Sequence, residues 1–227
     1  MRSPFKLAAF LKYAGGKWAT SHRYPKPLSR TIVEPFAGSA GYSVTHSNRR
    51  VVLSDTDERI VGAWDWLIKA RASDVAALPL LAQDERVSDL SLPQEAKWFL
   101  SYRVNIAAGP RNTATRWRMW NARVRRRIAL QVHRIDHWRV YHRGYADADE
   151  GPATYFVDPP YQEKSFYREG VADYAALGAW VRSLSGQIIV CEGPGASWLP
   201  FRKLLDAKTH VNASAAKVPE LIWYRCQ

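Results

Sequence analysis

Cysteine is almost missing from this 227-residue chain. Its two cysteines, Cys191 and Cys226, are too few for a disulfide framework or a four-thiolate metal site. The six histidines are scattered, without the spacing that sets two imidazoles on one helix face, so no metal is expected. No apolar run approaches the ~18 residues that could cross a bilayer. The opening MRSPFKLAAFLKYAGGK has its apolar patch interrupted by Lys6 and closed by Lys12 before a signal segment can form. These absences exclude a disulfide scaffold and a membrane partner, and they predict a reduced, cytoplasmic, metal-free protein that is a monomer or weak dimer. What remains is the composition of a globular chain, 47% hydrophobic and 24% charged, long enough for one sizeable core with a compact insertion beside it.

Acidic residues are also in short supply: the net charge is +12, and the imbalance is not evenly spread. Between Arg103 and Arg143 the only acid is Asp136, and arginines interleave with Trp117, Trp120, Trp138 and Tyr141. Lys and Arg gain affinity for a polyanion largely by releasing its condensed counterions, so this segment is where a nucleic acid is expected to touch. A solvated basic face is the plain alternative.

Along the chain, RTIVEPFAGSAGYSVTH reads as strand, glycine turn and helix. RRVVLSDTDERIVGAWDWLIKAR repeats the pattern, with a strand at Val51–Leu53, an acidic turn at Asp55 and Asp57, and a helix carrying Ile60, Val61, Trp64 and Leu67 on one face. Two such units in succession predict an α/β fold with a mostly parallel sheet. From 73 to 133 the texture is helical and arginine-rich, and this stretch is expected to form an inserted lobe between 1–72 and 134–227. Strand character returns in WRVYHRGY, TYFVD and GQIIVCEG, with a helix from about Asp173 to Ser183 and a closing strand in ELIWYR.

Three strand ends carry chemistry, since ligands of open α/β sheets bind beyond the carboxyl ends of the strands. TIVEPFAGSAG ends in glycines that let backbone N–H groups approach a ligand, with a helix start behind them. VVLSD ends in Asp55, about 20 residues further on, the placement of an acid that holds ribose hydroxyls. Each taken alone is equally a packing turn or a helix cap. In YFVDPPYQ, Pro159 and Pro160 lack an N–H and fix φ, so the chain must leave the sheet rigidly and aim its neighbours. Asp158 and the Pro159 carbonyl can then offer two acceptors to one amino group, and Tyr161 a face to a planar base.

Together and in this order, LKYAGGK at 11–17, EPFAGSAG at 34–41, LSDTD at 53–57 and DPPY at 158–161 give the chain its likeness. It resembles the Dam-type adenine-N6 DNA methyltransferases, over about the first 60 residues and from about Asp136 to the end. The resemblance implies a Rossmann-like methyltransferase sheet with helices on both faces, plus a small basic helical lobe for target recognition. It further implies S-adenosylmethionine as cofactor, double-stranded DNA as partner, and a prokaryotic or phage origin with a possible place in restriction-modification. Carried over, it assigns cofactor contacts to Tyr13, Gly15, Gly16, Lys17, Glu34, Phe36, Gly38, Asp55 and Asp158, with Lys17 suited to the methionine carboxylate. Trp138 is expected to pack on the cofactor adenine. Asp158, Pro159, Pro160 and Tyr161 are the expected catalytic corner. The family turn usually reads Phe-x-Gly-x-Gly, and here Ala40 fills its last place; a side chain is costly there if φ must be positive. IIVCEGPGASW also departs from the family's Ser-Asn ending.

The expected reaction takes a flipped adenine into the corner, where hydrogen bonds from N6 to Asp158 and the Pro159 carbonyl restore lone-pair character for attack on the methyl. Arg111, Arg116, Arg118, Arg123, Arg125, Arg126 and Arg127 are the expected DNA contacts, most of them to phosphates. A cytosine-N4 or RNA adenine methyltransferase fits the same pocket logic, and a non-catalytic DNA-binding module on the same fold stays open beside them.

Overall fold

The computed structural model describes residues 7–13, 15–82, 84–104, 111–113, 120–162, 170–208 and 217–226. Seven strands form one sheet: β1 (Thr31–Glu34), β2 (Arg50–Asp55), β3 (Arg139–His142), β4 (Ala153–Val157), β5 (Gly186–Glu192), β6 (Arg202–Lys208) and β7 (Lys217–Cys226). Their order is β3-β2-β1-β4-β5-β7-β6. The first five are mutually parallel, while β7 runs antiparallel between β5 and β6. This is a Rossmann-like α/β fold with an antiparallel hairpin at one end.

Side chains alternate across the sheet because the strand repeat is two residues. Ile32, Val51, Leu53, Phe156 and Ile189 face one way, into the cluster that also holds Ile60, Ala63, Trp64 and Leu67 of helix α2 (Glu58–Lys69), with Phe156 stacked on Tyr42. Val33, Val52, Tyr155, Val157 and Ile188 face the other way, onto Leu177 and Val181 of a helix at Tyr174–Ser183. Helices therefore cover both faces. The near-continuous apolar β4, buried at all five positions, is what double coverage requires.

Between β2 and β3 the described residues form three α-helices beyond α2: α3 (Ala72–Ala77), α4 (Gln94–Ser101) and α5 (Ala122–Gln131). With the short α1 (Gly41–Thr45) they precede the Tyr174–Ser183 helix, α6. Asn121 caps α5 by accepting from Val124 N at 3.0 Å. Val75, Leu78, Phe99, Leu100, Ile128 and Val132 belong to the same apolar cluster as α2 and the sheet, so this segment is bound to the sheet domain through a shared core. The Gln131 amide also brackets Ala8, accepting from its N–H at 2.9 Å and donating to its carbonyl at 2.7 Å. Lys12 N donates to Tyr102 O at 3.1 Å, so the N-terminal strap lies across the inserted helices. Among the described residues no helix is long and apolar enough to cross a membrane.

Strand β6 is absent from the expectations because RKLLDAK lacks an apolar run. It is an edge strand, where charged residues discourage further pairing.

Candidate active site

A cleft of about 330 Å³ opens at the carboxyl ends of β1, β2 and β4. β1 lies between β2 and β4 in the sheet, so the cleft falls where the strand order reverses, the place where open α/β sheets bind ligands. Its volume lies in the ~300–1,000 Å³ range of small-molecule sites. Tyr13, Gly15, Gly16, Lys17, Glu34, Phe36, Gly38, Asp55, Asp158, Pro159 and Pro160 all line it. Segments far apart in sequence are thus brought to one edge.

The glycine turn after β1 is shaped by close approach. Ala40 adopts φ 45° and ψ 42°, so the position does take the left-handed conformation, with alanine bearing its cost. Gly41 cannot be replaced so simply, since a Cβ there would lie 2.3 Å from Trp18 N. The first turn of α1 is therefore pressed against the Lys17–Ala19 turn.

Asp55 ends β2 with both carboxylate oxygens in use: Oδ1 accepts from Asp57 N at 3.0 Å and Oδ2 from Gly38 N at 3.1 Å. This ties the acid to the glycine turn and fixes its direction. Burial raises its pKa to about 6, against the opposing help of those N–H donors. Its neighbour Asp57 caps α2 and holds Arg59 at 2.5 Å. Glu34, buried in the cleft wall, accepts from Ser43 N at 2.8 Å, and burial pushes its pKa to about 8.

The proline corner holds an amine already. Lys17 Nζ lies 2.7 and 2.9 Å from the two oxygens of Asp158 and donates to Gly15 O at 3.0 Å. The same ammonium is 3.6 Å from Glu220 on β7. Burial opposes the charge on Lys17, but the Asp158 and Glu220 carboxylates outweigh it and hold its pKa above the ordinary range. Asp158 is raised by burial, with Lys17 opposing and Glu220 adding to the rise. Asp158, Cys191 and Glu220 have ligand atoms within 4.8 Å of one another, a spacing that could suit a metal ion, but the ammonium is the cation among them. Burial keeps the Cys191 thiol protonated.

Two expected positions do not line the cleft, although the Tyr161 ring lies 5.0 Å from Lys17 Nζ. Tyr161 does not line the cleft: its ring is buried, and its hydroxyl donates to Glu220 Oε1 at 2.6 Å. Gly193 lies so close that a Cβ there would be 2.9 Å from the ring, which gives the divergent ending of β5 a packing reason. Trp138, expected over the cofactor adenine, is instead in the core, its ring 5.7 Å from Trp64. It immediately precedes β3 and turns toward α2, and the aromatic residues lining the cleft are Tyr13, Phe36, Tyr145 and Phe156. Tyr145 stacks on Phe36 at 5.7 Å.

Of the expected DNA contacts, Arg111, Arg123, Arg126 and Arg127 are exposed. Arg125 turns inward and donates to Leu78 O at 2.6 Å. Arg116 and Arg118 lie outside the described residues.

Glu220 escaped the sequence reading. Its partners are far away in the chain: Tyr24 Oη donates to it at 2.8 Å, as Tyr161 does, across separations of 196 and 59 residues. A signal existed nonetheless, because an acid two residues before the buried Ile222 falls on the core side of a strand.

No model of a known protein family matches the chain, and no curated protein sequence matches it.

Proposed function

We propose that the chain is a DNA methyltransferase that transfers a methyl group from S-adenosylmethionine to N6 of a flipped adenine. The observation that carries this reading is the grip of Asp158 on a primary amine, that of Lys17, at 2.7 and 2.9 Å beside a ligand-sized cleft. A carboxylate that fits one amino group at a rigid proline corner has the geometry to accept the exocyclic amine of a base. The strand order, with an antiparallel β7 inserted beside β5, supports the finer assignment of a methyltransferase sheet.

The cleft fits the cofactor in chemistry as well as size. Asp55 would hold the ribose hydroxyls, Phe36 and Tyr145 would form an apolar wall for the adenine, and the Gly15–Gly16 backbone would border the donor. When bound, the cofactor supplies an electrophilic methyl on a sulfonium. The protein's part is to hold the base amine at Asp158 and the Pro159 carbonyl, which draws N6 toward tetrahedral geometry and restores its lone pair. Holding both reactants in one cleft supplies much of the remaining acceleration. Exposed Arg123, Arg126 and Arg127 on α5 serve the phosphate backbone.

Because Lys17 occupies Asp158, the base amine must share or displace the ammonium. The buried Tyr161 leaves stacking of the base to the cleft-lining rings. The test is methyl transfer from tritiated donor by Asp158→Ala: activity should vanish while DNA affinity stays within about threefold. Transfer at the normal rate by that variant would remove Asp158 from the reaction and the proposal with it.

A further inference from the structure

Glu220 is out of place if its task is only structural. It is buried on β7, its Oε1 accepts from Tyr24 at 2.8 Å and Tyr161 at 2.6 Å, and it faces Lys17 at 3.6 Å. A neutral glutamine would orient both phenols equally well. Lys17 needs no second acid to neutralise Asp158, because their own contact is already at 2.7 Å. A second buried carboxylate sharing one ammonium is costly to desolvate, a cost that a neutral glutamine at this position would avoid.

We propose that Glu220, acting through Lys17, leaves the amine site with one net negative charge, and that this charge stabilises the cation that forms on the substrate amine during methyl transfer. The inference rests on the methyltransferase reading and adds to it a positioning residue. As the N6 lone pair forms its bond to the methyl carbon, the S–C bond breaks and its electron pair returns to sulfur. Positive charge thereby moves from sulfur to nitrogen. The nitrogen then gives up a proton to the Asp158 carboxylate that accepts its N–H, and the proton leaves through the cleft to solvent. An anionic surplus beside Asp158 grows in value as the positive charge arrives there, which is the condition for lowering the barrier rather than tightening ground-state binding.

The other groups that face this trio do not cancel the surplus. Cys191 on β5 and the phenols of Tyr24 and Tyr161 are held protonated by burial. Glu34 in the cleft wall and Glu192 are acids, both raised by burial, and Glu192 is held by Gly193 N and Trp198 Nε1, so neither brings a positive charge. Lys17 is the one basic side chain in direct contact with either acid among the described residues.

Glu220→Gln tests this, because the amide oxygen still accepts from both phenols and only the charge is lost. Its kcat for methyl transfer should fall at least tenfold, with KM for DNA and for donor within about threefold. The acid limb of its pH profile should move to lower pH, since Asp158 loses a like-charged neighbour. Glu220→Asp should recover most of the rate, and Tyr24→Phe, which removes one phenol and no charge, should stay within threefold of wild type. Titration of Asp158 followed by carboxyl ¹³C NMR in aspartate-labelled protein reads the charge without substrate, and its midpoint should fall in the Gln variant. An unchanged midpoint, or an unchanged kcat and acid limb, overturns the role of Glu220 alone. Absence of methyl transfer by the wild-type protein overturns the function on which it rests.

Discussion

Lys17 lies buried against two carboxylates, whereas Arg123, Arg126 and Arg127 stand exposed on α5 with no carboxylate paired to them among the described residues. The chain itself enforces the second condition: residues 96–135 contain no acid at all. Charge at the sheet edge is spent on internal geometry, and charge on α5 is left for something outside. A buried ion pair broken on one side exposes an unpaired charge to a low dielectric, while an exposed arginine costs the fold almost nothing when removed. The two regions should therefore answer the same mutation in opposite currencies, stability for one and binding for the other.

The largest effect is expected at Lys17→Met. The buried Glu220 and the half-buried Asp158 then face each other without a cation, and the loss should be about 3 kcal/mol at pH 7, the lower end for a broken buried pair. Protonation of one acid relieves it, so the penalty should shrink as pH falls toward 5. Denaturant unfolding at both pH values checks this, and an equal loss at the two would show that the pair is not the source.

Arg126→Ala with Arg127→Ala should do the reverse. Stability should stay within about 0.5 kcal/mol. The slope of log K for DNA against log salt should become shallower by about 1.8, at roughly 0.9 per phosphate contact. Arg125 sharpens the contrast from within the same run. Its guanidinium is bonded to Leu78 O, so Arg125→Ala should cost about 1 kcal/mol of stability and leave the salt slope unchanged. A shallower slope for that variant would mean that the side chain leaves its internal partner to meet DNA.

A smaller effect separates ligand from fold inside the cleft. The ribose hydroxyls need Asp55 as an acceptor, and its pKa is raised to about 6 by burial. Donor affinity should weaken as pH falls through that value, approaching tenfold per unit below it. Fold stability should move the other way, because an acid with a raised native pKa holds extra protons in the folded state and favours it at the lower pH. Calorimetric titration from pH 5 to 8 reads the first trend, and Asp55→Asn should abolish it.

Much of the sheet and three sides of the cleft were legible because Gly, Pro and a strand-ending Asp have local meanings that survive folding. TIVEP, VVLSD and TYFVD each end where a residue's own φ, missing N–H or charge forbids continuation of a buried strand. What could not be read depends on which way a side chain turns. Trp138 stands next to β3, yet whether its ring meets the cleft or α2 is decided by the packing of Trp64, a residue on another element. Glu220 meets Tyr24 only after the whole sheet has assembled. Arg125 reads like its neighbours in the run and differs from them because its place on α5 faces the end of α3.

The smallest prediction concerns the turn that the sequence marks as irregular. Ala40 is buried with φ 45° and ψ 42°, a conformation that costs an L-residue roughly 1–2 kcal/mol. Glycine removes that strain but gives back about 0.5–1 kcal/mol through the greater freedom of the unfolded chain. Ala40→Gly should therefore stabilise the protein by about 0.5–1 kcal/mol, or about 2 °C in Tm for a chain of this length. Donor affinity should be unchanged, because Gly41 remains wedged against Trp18 N and fixes where α1 begins. If the variant is more stable but binds donor more weakly, the strained alanine is setting the shape of the cleft, and charge pairing is then not the only feature of the sheet edge that trades stability for function.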